Sequence, residues 1–289
     1  MYETYFGLSA RPFSLAPDPQ YLLMTRQHET ALTMLEYAIT GDTLISVLTG
    51  EVGSGKTTLL MRLIQRIEPT LTVGLVNNTY RGSGSLMQWV CAAFGIDALE
   101  REPAAQYQAF RAFLAGQRER GNFVLLIVDE AQNLGSARLE ELRVLSNVNE
   151  GGHVLFQLIL VGQPELRDTL RKPQLRQLAQ RVGIDYHLSN LAVAQAREYV
   201  RHRLEVAGGD RGLFTDDAID QAFRASGGTP RLLNQLCDMG LLFAFAGRVR
   251  KVDAEIMTRV VRSRQDGGIF PRFGAVDDQV GAQLGAEPL

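Results

Sequence analysis

The run Gly50-Glu51-Val52-Gly53-Ser54-Gly55-Lys56-Thr57 matches in full the glycine-rich pattern G-x-x-x-x-G-K-[ST] that holds phosphate. Glycines at this spacing let the main chain fold tightly around an oxyanion, so that successive N–H groups and the positive end of the following helix face a β-phosphate. Lys56 adds a point charge for the β- and γ-phosphates, and Thr57 adds a hydroxyl for Mg²⁺. Composition sharpens the reading, because Lys56 is one of three lysines, with Lys172 and Lys251, in a chain that otherwise uses arginine. A second group is Leu125-Leu126-Ile127-Val128-Asp129-Glu130, an apolar strand ending in two acids. There Asp129 can hold the Mg²⁺ shell and Glu130 can polarise an attacking water. Paired acids after a strand could also be only a helix N-terminus; beside the phosphate loop they read as the other half of a site that hydrolyses ATP, with ATP and Mg²⁺ as cofactors. Cys91 and Cys237 lie far apart in helical patterns, without the spacing of a zinc or redox site, and read as small buried hydrophobes.

The elements that must position these groups are legible as apolar runs. Leu44–Leu48, Leu71–Val76, Phe123–Val128 and Val154–Val161 suit strands covered on both faces, and Val182–Leu188 alternates more, as an edge strand does. Helix-period patterns fall between them: Leu59, Leu60, Leu63, Ile64, Ile67; Leu86, Trp89, Val90, Ala93; Tyr107, Phe110, Leu114; Leu139, Leu142, Leu145. Strand and helix alternate, which predicts an α/β domain over 1–190 with a doubly wound, five-stranded parallel sheet. The phosphate loop then sits between the first strand and its helix, where it must. Beyond Asn190 only helix periods remain, with stops at Gly208-Gly209 and Gly247 and starts at Thr215, Thr229-Pro230 and Asp253. This predicts a small all-helical domain over 191–264. From 265 to 289 Gly, Asp and Gln dominate, with scattered Ile269, Phe270 and Phe273, and a mobile tail is expected.

The chain of 289 residues is long enough to bury a sizeable core, and its 45% hydrophobic and 21% charged content is globular. A formal net charge of −2 excludes a whole-protein field that would draw it onto DNA or an anionic membrane, so binding either would need a local patch. One candidate is the cluster Arg248, Arg250, Lys251, Arg259, Arg262 and Arg264, which reads either as a solvated helix face or as a phosphate-contacting patch for DNA. No apolar run reaches the roughly 18 residues needed to span a bilayer. The first ten residues lack the basic start and apolar segment of a signal peptide, so a cytoplasmic protein without membrane insertion is expected.

The chain resembles the AAA+ ATPases, in particular the ExeA/GspA-like ATPases of bacterial secretion and envelope-assembly loci. The likeness rests on Tyr5-Phe6-Gly7-Leu8, Pro12-Phe13 and Pro17-Asp18-Pro19, on His28-Glu29, on Gly50 to Thr58, and on Asp129-Glu130-Ala131-Gln132-Asn133. It continues through Val161-Gly162-Gln163-Pro164-Glu165-Leu166 to Gly227-Gly228-Thr229-Pro230-Arg231. Relatives include ATPases of transposition and of exopolysaccharide export. Members of the secretion group often continue into a membrane helix and a peptidoglycan-binding region, neither of which is read in these residues.

The resemblance implies an AAA+ fold whose helical domain is a lid, and a nucleotide-binding set that includes Thr58. It places Gln163 at the sensor-1 position, near the γ-phosphate or the attacking water, and Arg231 at sensor 2, reaching the γ-phosphate from the lid. Arg181, before the fifth strand, takes the place of an arginine finger offered to the next subunit, with Arg176 as its rival. Asn77 and Asn78 match the position that can hold the catalytic glutamate idle, or are ordinary turn residues. Tyr21, Leu22 and His28, in the segment 1–43, are candidates for the adenine pocket. The expected protein is a homo-oligomeric ATPase that drives assembly of an unidentified secretion or envelope partner. The alternatives are a DNA-binding targeting ATPase of a transposition system and a nucleotide-gated switch with little turnover.

Overall fold

The computed structural model describes residues 1–41, 43–66, 71–77, 84–97, 102–150 and 153–267. They form two compact units, Met24–Ser189 and Met1–Leu23 with Asn190–Leu289. Asn78 and most of the expected tail, with Ile269, Phe270 and Phe273, lie outside the described residues.

In the first unit the five apolar runs form a wholly parallel sheet: β1 (Ile45–Gly50), β2 (Leu71–Val76), β3 (Phe123–Val128), β4 (Phe156–Gly162) and β5 (Val182–Leu188), in the order β2-β3-β4-β1-β5. The helices Lys56–Arg66, Leu86–Ala93, Pro103–Glu119, Gly135–Leu145 and Pro164–Leu170 are among the elements around it. Residues of β1 and β4 are buried throughout, as central strands require, and β3 is buried beyond Phe123. Ile45, Val47, Leu126, Val128 and Leu158 share one core with Phe110, Leu139 and Leu142 of the covering helices. β5 alternates at its edge as expected. β2 departs from the expectation of cover on both faces, because it is the opposite edge and leaves Leu75 41% exposed. Two-residue strands Asn149–Glu150 and His153–Val154 pair antiparallel just before β4.

The connection reverses direction at β1, with β4 on one side and β5 on the other, and ligands of such sheets bind outside the carboxyl ends of the strands at that point. β1 runs directly into the glycine-rich loop, and β3 delivers its two acids to the same end.

The second unit is helical: Val193–Val206, Asp216–Ser226, Pro230–Ala246 and Ala254–Gly267, joined by the short Tyr2–Phe6 helix. The starts read from the sequence are capped as such residues should be. Thr215 accepts from the Ala218 N–H, Asp253 accepts from the Ile256 N–H at 2.9 Å, and Pro230 takes the first position of its helix. The last helix runs to Gly267, three residues into the stretch expected as tail. No described helix is long and apolar enough to cross a membrane.

Residues 1–23, expected with the sheet domain, belong instead to the helical unit. The reason is a buried arginine. Arg203, only 6% exposed, donates to the carbonyls of Pro12 and Ser14 and to the Tyr199 hydroxyl, and its guanidinium lies 4.8 Å from the centre of the Tyr21 ring. Around this strap, Phe13 meets Phe214 edge-on and the Ser9 N–H donates to the Ala207 carbonyl at 2.8 Å. Arg203→Met should therefore lower unfolding stability by about 2 to 4 kcal/mol, because three acceptors lose a charged donor in a buried setting. Denaturant unfolding followed in parallel for parent and variant checks this; equal midpoints would show that the strap is held by its apolar contacts alone.

Candidate nucleotide site

The loop between β1 and the helix Lys56–Arg66 has the backbone its glycines allow. Gly53 and Gly55 take φ of 80° and 93°, a region that other residues rarely adopt. Gly50 is needed for space, since a Cβ there would lie 2.6 Å from Ser54 Oγ and 2.7 Å from the Leu188 carbonyl oxygen. The Lys56 ammonium is buried in the loop and donates to the carbonyls of Gly50 at 2.7 Å and Glu51 at 2.8 Å. Burial pulls its pKa below the ordinary lysine value, while Glu130, Asp129, Glu51 and Glu165 oppose that shift by favouring the charged form. Ser54 Oγ is buried with no hydrogen-bond partner in the loop, a polar atom in want of a ligand. A cation ringed by turned-in main chain and an unmatched hydroxyl form a cradle for phosphate oxygens.

Thr57 and Asp129 come together across the loop, with Thr57 Oγ1 donating to Asp129 Oδ2 at 3.1 Å. Asp129 Oδ1 in turn accepts the Glu130 N–H at 2.8 Å, which fixes the carboxylate at the end of β3. Hydroxyl and carboxylate oxygen are the donors that a hard divalent cation takes, so this pair fits Mg²⁺. Thr58 is half-buried in the first turn of the helix.

Glu130 sits in the left-handed region at φ 53°, one of two such non-glycine residues among those described. Side chains hold non-glycine residues there at a cost of roughly 1 to 3 kcal/mol, so the surroundings must fix it. Its Oε2 accepts from Gln132 Nε2 and, at 3.3 Å, from Gln163 Nε2. Gln163 thus stands beside the general-base candidate.

The remaining candidates are placed as follows. Arg181 is half-buried and donates to Ser146 Oγ at 3.2 Å, whereas Arg176 is exposed. Arg231 is exposed in the first turn of its helix, within the second unit, and Asn77 is exposed just after β2. Tyr21 and Leu22 fall in the N-terminal segment of the second unit, with the Tyr21 ring covered by Arg203. In the basic cluster, Arg250 stacks 4.1 Å from the Tyr5 ring and donates to the Tyr5 carbonyl, Arg259 lies over Phe243, and Arg264 donates to Gln235. These three arginines help to hold their own unit together. Cys91 and Cys237 are both buried, and burial pushes each thiol upward in pKa, as the reading of small hydrophobes requires.

Three contacts escaped the sequence. His28 is buried and joins the loop, since its Nε2 lies 3.3 Å from the Ser54 carbonyl oxygen and its Nδ1 2.6 Å from Thr25 Oγ1. A carbonyl only accepts, so Nε2 carries the proton and Nδ1 accepts from the threonine. Burial lowers the pKa of His28, and its bond to Ser54 opposes this. His187 on β5 meets the buried Thr49 of β1 at 3.0 Å, a pairing that only the strand order reveals. Gln132 was visible as a motif residue, but its partners were not.

A family described as "AAA domain" matches residues 39–170. General secretion pathway protein A of Aeromonas hydrophila is 39% identical over 254 residues, which is 87% of this chain, and the chain spans 46% of that protein's length. Among solved structures, the Aeropyrum pernix ORC2 protein in its ADPNP-ADP complexes aligns with a TM-score of 0.67 at 17% identity, covering 88% of this chain and 71% of its own. Cdc6p of Pyrobaculum aerophilum aligns with a TM-score of 0.66 at 16% identity, covering 87% and 70%.

Proposed function

The chain belongs to the AAA+ P-loop ATPases and resembles General secretion pathway protein A, and from that premise we propose that it hydrolyses ATP to drive assembly of a secretion or envelope complex in the cytoplasm. The observation that carries the hydrolytic reading is the convergence of the Lys56 cradle, the Thr57–Asp129 pair and Glu130 at one end of the sheet. The pathway rests on the relative alone.

In this reading Lys56 and the loop N–H groups hold the β- and γ-phosphates, with Ser54 Oγ as a further donor. Thr57 and Asp129 would hold Mg²⁺, which when bound offsets phosphate charge. Glu130 accepts the proton of a water whose oxygen attacks the γ-phosphorus in line, as the bond to the departing ADP oxygen breaks. Gln163 orients that water and reports the γ-phosphate to the chain. Turnover is slow in a lone subunit, because the charge that grows on the transferring group needs Arg181 of a neighbouring copy, with Arg176 as the competing donor.

The test mixes Arg181→Ala with Lys56→Ala protein. Each alone should be inactive, while mixed assemblies contain interfaces where an intact loop faces an intact finger, so activity should return. A finger contributes roughly 10³-fold or more in related phosphoryl transfer. Arg181→Ala protein that turns over ATP at the parent rate would refute the assignment, and loss confined to Arg176→Ala would move it to that residue.

A further inference from the structure

Beside Glu130, a single carboxamide is engaged at both ends. Gln132 Nε2 donates to Glu130 Oε2, while Gln132 Oε1 accepts the main-chain N–H of Gln163 at 3.1 Å. The orientation of the amide is fixed by its partners, since a main-chain N–H can only donate and a carboxylate can only accept. Gln163 completes a closed ring, because its own Nε2 donates to the same Glu130 oxygen at 3.3 Å. Room for this ring depends on Gly162, where a Cβ would lie 2.7 Å from Gln132 Oε1. The 3₁₀ turn Ala131–Asn133 after β3 carries Gln132 back toward β4, to which β3 is paired.

We propose that Gln132 is a positioning residue for hydrolysis, tying the Glu130 carboxylate to the main chain at the end of β4 so that the general base and Gln163 move as one. The inference rests on the reading of Glu130 as the base. Gln132 touches neither the phosphate cradle nor the Thr57–Asp129 pair in the hydrogen bonds of the structure, so its effect should fall on the chemical step and not on nucleotide affinity. A misplacement of about 1 Å at a reacting group can cost on the order of 100-fold in rate.

The experiment measures kcat for ATP and, separately, the Kd of a fluorescent ATP analogue, for full-length Gln132→Met, Gln132→Glu, Gly162→Ala and Glu130→Gln proteins. Gln132→Met removes both bonds at nearly constant volume and should lower kcat by about 100-fold, with Kd within about twofold of the parent. Gln132→Glu keeps an acceptor for the Gln163 N–H but sets a second carboxylate against Glu130, and an equal or larger loss assigns the effect to the donor. Gly162→Ala approaches from the other side and should lower kcat by about tenfold by displacing the same amide. If Glu130→Gln is inactive while Gln132→Met and Gln132→Glu turn over at the parent rate, the inference is wrong and the reading of the base stands. If kcat and affinity fall together, Gln132 is merely structural and the inference is likewise overturned. Parent turnover by Glu130→Gln would overturn the underlying reading.

Discussion

Glu130→Gln protein is expected to bind ATP as tightly as the parent and to release phosphate about 10³-fold more slowly, in line with the roughly 10²- to 10⁴-fold that a positioned general base contributes. The separation follows from the role of the carboxylate, which accepts from Gln132 and Gln163 and is not among the cradle's own donors; the substitution is isosteric. Glutamine at 130 can still occupy the left-handed backbone that the surroundings impose, so the fold should be unchanged. What it cannot do is accept the proton of the attacking water. Binding measured with a slowly hydrolysed analogue and turnover measured by phosphate release separate the two effects.

Lys56→Ala is expected to act on binding instead, lowering ATP affinity by at least about 30-fold, since truncating one member of a buried charged contact costs roughly 2 to 5 kcal/mol and each 1.4 kcal/mol is about tenfold. The size comes from the company Lys56 keeps. Its ammonium is desolvated inside the loop, and Glu130, Asp129 and Glu51 act on it electrostatically. Without that cation the polyphosphate would meet acidic side chains and turned-in carbonyls. Equilibrium binding of ATP to the variant checks this, and parent-like affinity would mean that the loop N–H groups alone hold the phosphates.

What the sequence revealed, and what it hid, follows from the range of the forces. The phosphate loop is contiguous, so its glycines, Lys56 and Thr57 announce it without any tertiary knowledge. Continuous apolar runs marked β1, β3 and β4 because these strands are covered on both faces. β2 carried a similar run and yet lies at an edge, a matter decided by strand order and not by composition. The placement of residues 1–23 was hidden because it depends on Arg203, some 180 residues on, whose guanidinium is buried against carbonyls that no periodicity predicts. Arginine is usually exposed, and a reader of the sequence assigns it to the surface. His28 and Gln132 were seen as members of motifs, but their hydrogen-bond partners, the Ser54 carbonyl and the Gln163 N–H, come from other elements brought near by the sheet.

Single-turnover release of phosphate from ATP, followed with Mg²⁺ present for the parent, Glu130→Gln and Lys56→Ala side by side, tests the account most directly. The parent should release phosphate at a rate that rises more than linearly with protein concentration, Glu130→Gln should hold ATP without releasing it, and Lys56→Ala should do neither. A parent that binds ATP tightly and releases no phosphate at any protein concentration would contradict the hydrolytic mechanism, leaving a nucleotide-gated switch in its place.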